Sequence, residues 1–277
     1  MSQLKDRVAI VTGAARGQGR AHALALAAAG ATVVATDIGS RGTTAEYAVA
    51  GRGDLDETVE LVRAAGGAAH AVVADMRDTA GVDELVRSTV DAHGRVDILV
   101  ANAAICGFVP VADISDEVWT DMIDINLTGT FRCVRAVIPH MRRERYGRIV
   151  AISSGAGRTG MANLGHYAAS KWGMIGLIKS VALEVAADGI TANVVCPTAV
   201  GTPMIHTAAG FARSRPDIGN PTLDDVRETY AARNPMGVPW LEPEDVTRAV
   251  MYFATDTGAT SGAVLDVSLG TSAGRGN

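Results

Sequence analysis

Aromatic residues are scarce in this chain. Only 4% of its 277 residues are Phe, Trp or Tyr, so Ala, Val, Ile and Leu must do most of the packing. Cysteine is scarcer still: Cys106, Cys133 and Cys196 are odd in number and far apart. They make no metal or dithiol motif and are read as buried free thiols. No apolar run reaches the ~18 residues a membrane-spanning helix needs. The opening Met1-Ser2-Gln3-Leu4-Lys5-Asp6 has no signal-peptide character. An excess of positive charge is also lacking, since the formal net charge is −5. That disfavours nucleic acid or an anionic membrane as a partner. The expectation is a soluble cytoplasmic protein with neither partner. Asn126-Leu127-Thr128 fits the glycosylation pattern, and without a secretory signal the match is accidental.

What is present is a core-forming composition, 48% hydrophobic, with 31 glycines for turns and close backbone approaches. Val8-Ala9-Ile10-Val11 reads as a buried parallel strand. It runs into Gly13-Ala14-Ala15-Arg16-Gly17-Gln18-Gly19 and then an alanine-rich helix ending at Gly30. Strand, glycine loop and helix form the context in which backbone N–H groups and a helix N-terminus meet a pyrophosphate. Thr32–Asp37 reads as the next strand, with Ile38 following it. Asp37 lies eighteen residues beyond Gly19, where an acid binds both ribose hydroxyls of the adenosine half and repels a 2′-phosphate. That favours NAD over NADP, although Arg16 and Arg41 are placed to blunt the repulsion.

Residues 39–53 interrupt the alternation. Sheet–helix connections usually take ~2–6 residues, so this is an insertion, placed beside the adenosine end. Helices are expected over residues 54–65, 79–93, 116–141 and 165–187, and from Pro243 onward. Strands are expected at residues 68–74, 96–100, 148–154, 191–196 and 263–267. The alternation predicts a single-domain, Rossmann-like α/β fold with a doubly wound parallel sheet. Residues 203–240 read as a substrate lid, lined by Met204, Ile205, Phe211, Leu223, Met236, Val238 and Trp240.

The chemistry centres on Tyr167-Ala168-Ala169-Ser170-Lys171. On a helix, Tyr167 and Lys171 share one face. A phenol titrates near ~10, too high for a base at neutral pH. An ammonium about 4 Å away contributes roughly 4 kcal/mol at an effective dielectric of ~20. That is worth two or three pKa units at ~1.4 kcal/mol each. Ser154, thirteen residues earlier, offers a hydroxyl for a substrate oxygen. His22, His166 and His206 have no metal-ligand spacing and are read as packing or surface residues, with His166 beside Tyr167 a candidate for the pocket wall.

Taken together, Thr12-Gly13-x-x-x-Gly17-x-Gly19, Asn102-Ala103-Ala104, Asn126, Ser154 and Tyr167-x-x-x-Lys171 resemble the short-chain dehydrogenase/reductase family over nearly the whole chain. The resemblance implies seven strands in the order 3-2-1-4-5-6-7 and a homotetramer. It also implies hydride transfer between a secondary alcohol or ketone and nicotinamide. Tyr167 would be the acid/base. Lys171 would lower its pKa and bind the nicotinamide ribose. Ser154 would orient the substrate oxygen, and Asn126 would extend a proton relay through a water. Gly13, Arg16, Gly17, Gln18 and Gly19 would cradle the cofactor, Asp37 and Ile38 its adenosine ribose, and Asp75 and Met76 its adenine. Asn102, Ala103, Pro197, Val200 and Thr202 would line the rest of its path. Ala104 and Thr198 stand where the family usually has glycine.

A narrower resemblance lies in Gly17-Gln18-Gly19-Arg20, Asp37-Ile38 and the insertion before Asp54-Leu55-x-Glu57-Thr58-Val59. It points to the mycofactocin-associated, carveol-dehydrogenase-like subgroup. There NAD does not exchange and a peptide-derived cofactor, mycofactocin, re-oxidises it. The implied substrate is a small lipophilic alcohol or ketone. Rival readings are an exchangeable-cofactor 3-oxoacyl reductase or sugar dehydrogenase, and a non-catalytic nucleotide sensor.

Overall fold

The structure, a computed structural model, describes residues 3–39, 42–45 and 47–274. Seven parallel strands form one sheet in the order β3-β2-β1-β4-β5-β6-β7, as the alternation and the resemblance predict. They are β1 (Val8–Thr12), β2 (Thr32–Asp37), β3 (Ala68–Val73), β4 (Ile98–Ala101), β5 (Gly147–Ile152), β6 (Ile190–Pro197) and β7 (Val264–Val267). Strands β1, β4, β5 and β6 are buried along their whole length, so apolar residues dominate them, with Thr12, Arg148, Thr191 and Asn193 as buried polar exceptions.

Helices cover both faces. The cluster on one face packs α1 (Gly17–Ala28), α2 (Arg52–Ala64) and α9 (Pro243–Ala254). The other holds α3 (Thr79–His93), α5 (Gly129–Glu144) and α6 (Gly165–Val185). Between β4 and α5 come α4 (Asp116–Ile123) and a single wide π-type turn, Asp124–Thr128. Such turns free backbone groups from the regular ladder and recur at functional sites.

The order reverses between β1 and β4, paired as Val11 with Val100, and the crevice opens beyond their carboxyl ends. Asn102 ties the two ends together there. Its backbone N–H donates to the Thr12 hydroxyl at 3.0 Å, and its Nδ2 to the carbonyls of Thr12 (2.9 Å) and Gly13 (3.1 Å).

The segment expected to be a lid contains α7 (Ala208–Ser214) and α8 (Leu223–Arg233). Its apolar residues do not all face the cleft. Phe211, Leu223 and Trp240 pack with Val226 and Tyr230 into a small core of their own, while Met236 and Val238 are exposed. On α6, Met174, Ile175 and Val181 are buried, but Trp172 and Leu183 face outward. Cys133 and Cys196 are buried free thiols, whereas Cys106 is only half-buried and lines the cleft. Among the described residues no helix is long and apolar enough to cross a membrane, and none cluster as a metal site.

His22 joins α1 to α9 and is wholly buried. The Thr247 hydroxyl donates to the Pro243 carbonyl, so it accepts from His22 Nδ1 at 2.7 Å. This places a proton on Nδ1, and burial keeps the ring neutral by holding its pKa down at about 3. The unfolded chain takes up this proton below about pH 6.5, while the folded chain refuses it until about 3. Stability from this site is therefore complete above the higher value and falls as pH drops, by up to roughly 1.4 kcal/mol per unit. Melting curves from pH 7 to 5 should fall more steeply for the wild type than for His22→Asn.

Candidate active site

One cavity of about 500 Å³ runs along the crevice. The glycine loop, Asp37, Ile38, Asp75 and Met76 line one end. Ser154, Tyr167 and Lys171 line the other, with Asn102, Ala103, Ala104, Pro197, Thr198, Val200 and Thr202 between.

At the first end, Gly13 and Gly17 take φ of +65° and +55°, a region L side chains rarely adopt. A Cβ on Gly19 would lie 2.0 Å from the Gly13 carbonyl oxygen. The N-terminus of α1 has no side-chain cap and no acid in its first turn. Its N–H groups are left for an anion. Asp37 Oδ2 accepts from the Ala15 N–H at 3.0 Å, and Oδ1 from its neighbour Ile38 at 2.8 Å. Burial still leaves this carboxyl raised above its ordinary value. The cradle, the open helix end and the acid fit a dinucleotide. Asp75 is held by Arg77, whose Nη2 lies 2.8 Å away.

At the other end, Lys171 is 1% exposed and donates from Nζ to the Ile152 carbonyl at 2.8 Å. Its Nζ lies 5.6 Å from the Tyr167 ring centre, and burial lowers its pKa to about 8. The Tyr167 phenol behaves otherwise than the Tyr/Lys spacing predicts. Burial pushes it up, with Cys106, Tyr47 and Cys196 adding to that, and the hydrogen bond with Ser154 working against it. A lysine drawn to a strand-end carbonyl does not offset that burial.

Ser153, the neighbour of Ser154, turns away to donate to the Lys171 carbonyl at 3.0 Å. Asn126 is fully buried behind the cleft, within the wide turn. Its Oδ1 accepts from Ile105 N–H at 2.8 Å, and its Nδ2 donates to Ile105 O at 2.9 Å. It thereby fixes the strand-end segment that forms one wall. His166 is buried beside a separate small cavity and does not line the main one.

The insertion does more than the sequence suggests. Ala50 packs with Ala14 and Ala15 of the glycine loop. Ala45 packs against the cluster that contains Tyr167. Thr44 donates from N–H (2.8 Å) and hydroxyl (2.9 Å) to Asp121 on α4. Arg77 links Asp121 (2.7 Å) to the Gly42 carbonyl (3.0 Å), and Arg16 reaches the Ala48 carbonyl. The segment thus spans both ends of the cleft and not the adenosine end alone. Arg41 lies outside the described residues.

Sequence reasoning missed Tyr47, Phe108 and Arg213, which all line the cleft. The signal available for Tyr47 was one aromatic in an aperiodic insertion of an aromatic-poor chain.

A family model described as short chain dehydrogenase matches residues 7–210. A (-)-trans-carveol dehydrogenase of Rhodococcus erythropolis is 39% identical over 98% of this chain and 99% of its own. A 3-oxoacyl-[acyl-carrier-protein] reductase of Synechocystis is 37% identical over 94% and 93%. Among solved structures, carveol dehydrogenase from Mycobacterium avium in complex with NAD superposes with a TM-score of 0.95, at 38% identity over 98% and 99% of the two chains.

Proposed function

The chain belongs to the short-chain dehydrogenase family, and from that premise we propose that it is an NAD-dependent dehydrogenase interconverting a small lipophilic secondary alcohol, of the carveol kind, with its ketone. We propose further that NAD stays bound between turnovers and is re-oxidised in place by mycofactocin. The observation that carries the reading is the single cleft joining Asp37 and the glycine loop to Ser154, Tyr167 and Lys171, with the insertion fastened along it.

The chemistry the cofactor supplies when bound is hydride acceptance at its nicotinamide ring. The chain does the rest. The Ser154 hydroxyl donates to the substrate oxygen and fixes its direction. Tyr167 Oη takes the alcohol proton in oxidation and returns it in reduction. Lys171 keeps a positive charge near the phenolate as it forms. Asn126 holds the Ile105 wall in place. Asp37 favours ribose hydroxyls over a 2′-phosphate by charge. Phe131 on α5, with Trp172 and Leu183 on α6, gives an exposed apolar face that supports assembly into a homotetramer.

The test is to denature purified protein and identify any nucleotide released. Carveol oxidation is then followed with free NAD and, separately, with an artificial electron acceptor. About one NAD per chain, with turnover only on the artificial acceptor, is the expected result. Protein that emerges empty and turns over on free NAD would refute retention. Asp121→Ala removes the acceptor for both Thr44 bonds and one Arg77 ion pair. Charge-assisted bonds contribute about 1.5–3 kcal/mol each, so NAD should leave the variant at least tenfold faster.

A second reading has one observation in its favour. Arg213 and Arg233 of the lid helices line the cleft, and neither has a carboxylate ion-pair partner among the described residues. A basic entrance suits an acyl carrier's phosphate. Reduction of an acetoacetyl thioester more efficient than carvone reduction would favour it.

A further inference from the structure

The insertion carries a second phenol into the catalytic cleft. Tyr47 lines the same cavity as Ser154 and Tyr167, against the wall that runs through Cys106 and Phe108. Its oxygen accepts the backbone N–H of Cys106 at 3.3 Å. A phenol has one proton to donate besides the lone pairs with which it accepts. Among the described residues no acceptor takes that proton. Tyr47 is only part-exposed, and a ligand that supplies an acceptor to such a donor gains from it.

Which acceptor follows from counting lone pairs. A ketone oxygen offers two, and on the reading above Ser154 and Tyr167 take both. The Tyr47 proton is then left for a different oxygen. We propose that Tyr47 is a substrate-binding, specificity-determining residue that donates a hydrogen bond to a second oxygen on the substrate. The preferred substrates are lipophilic alcohols or ketones with a further hydroxyl, ether or carbonyl group near the reacting carbon. The phenol is well placed for this. It stands close enough to Tyr167 for negative charge on the one to oppose it on the other. Burial also keeps Tyr47 protonated, as a donor must be. Its seat on Cys106, and the hold of Asp121 on Thr44, fix the hydroxyl relative to the wall. The proposal rests on the reading of the cleft as an alcohol dehydrogenase site.

The experiment compares wild type and Tyr47→Phe on cyclohexanol and on the 1,2-, 1,3- and 1,4-cyclohexanediols. Turnover is read with the artificial acceptor and with free NAD. Binding of the same four compounds to the nucleotide-loaded protein is read by calorimetry, and nucleotide content is measured for both proteins. In the wild type, at least one diol should have a KM about tenfold below that of cyclohexanol. Tyr47→Phe should raise that KM about tenfold, leaving kcat and the cyclohexanol KM within about twofold. A wild type without diol preference overturns the proposal. So does a variant that keeps the preference, or one that weakens all four compounds equally, which would mean a packing role. If neither protein turns over any alcohol, the dehydrogenase reading fails. Calorimetry then decides on Tyr47 alone: a diol preference present in wild type and lost in the variant sustains it, and its absence ends it.

Discussion

Tyr167→Phe should lower alcohol oxidation about 10³-fold or more while leaving the fold and the bound nucleotide in place. The expected loss is that of general acid–base catalysis, typically about 10²–10⁴-fold, because the neighbouring groups are poor bases, Tyr47 included, whose phenol burial likewise holds protonated. Ser154 is a hydroxyl with no base beside it, and the Cys106 thiol is itself pushed up to about 12 by burial. The ring packs with Ile105, Met122, Ile125, Ala156 and Leu164, and the substitution leaves all of that contact. On the proposed mechanism the same phenol should set the pH dependence. Its pKa is raised, so the phenolate that accepts the alcohol proton is the minor form at neutral pH. Oxidation should therefore quicken as pH rises through the neutral range, and reduction, which needs the protonated phenol, should not. Stopped-flow or steady-state rates between pH 6 and 10 check the slope. Turnover by Tyr167→Phe within tenfold of wild type would remove Tyr167 from the chemistry.

Much of this molecule is legible in its sequence because parallel strands buried on both faces leave a plain trace. β1 and β4 are apolar runs and β5 carries one behind Arg148, and glycine, asparagine or serine follows each where the chain enters the cleft. Asp37 can be found by its distance from the glycine loop, and Tyr167 and Lys171 by helical spacing. What could not be read depends on contacts between distant segments. Tyr47 has no meaning until Cys106 is brought to it across 59 residues of chain. The reach of the insertion depends on Asp121, whose approach to Thr44 and Arg77 nothing local reveals. The wide turn at Asn126 has no local signature, and the Ile105 segment that its amide bonds lies 21 residues away in the chain. The raised phenol pKa is not legible because spacing gives a distance to Lys171 but neither the depth of burial nor the carbonyl of Ile152 that the ammonium faces. On α6, composition could not separate Trp172 and Leu183 from the buried Met174 and Val181 on the same helix.

Gly19→Ala should leave the protein without nucleotide, although it adds one methyl group. An added Cβ would sit 2.0 Å from the Gly13 oxygen, 2.7 Å from the Gly13 carbonyl carbon and 2.8 Å from Asn102 Nδ2. Two of those atoms are backbone, so no rotamer change relieves the contact. Gly13 cannot retreat freely. Its carbonyl is held by Asn102 Nδ2 at 3.1 Å, and its own φ of +65° is tied to the tight turn. The helix start or the loop must shift, and either shift opens the cradle and turns the first N–H groups of α1 away from the pyrophosphate. Overpacking of this kind costs about 1–3 kcal/mol of stability, so the domain should still fold. NAD affinity should fall at least a hundredfold, because the cradle exists only in the unshifted geometry. Gly53→Ala is the control. Nothing lies within 4 Å of its added Cβ, it stands in α2, and it should bind NAD as the wild type does. The nucleotide released from each variant on denaturation, and NAD binding by calorimetry to protein stripped of nucleotide, decide the matter, with circular dichroism to show that each is folded. Stoichiometric NAD on Gly19→Ala at wild-type affinity would mean that the pyrophosphate is held somewhere other than the loop.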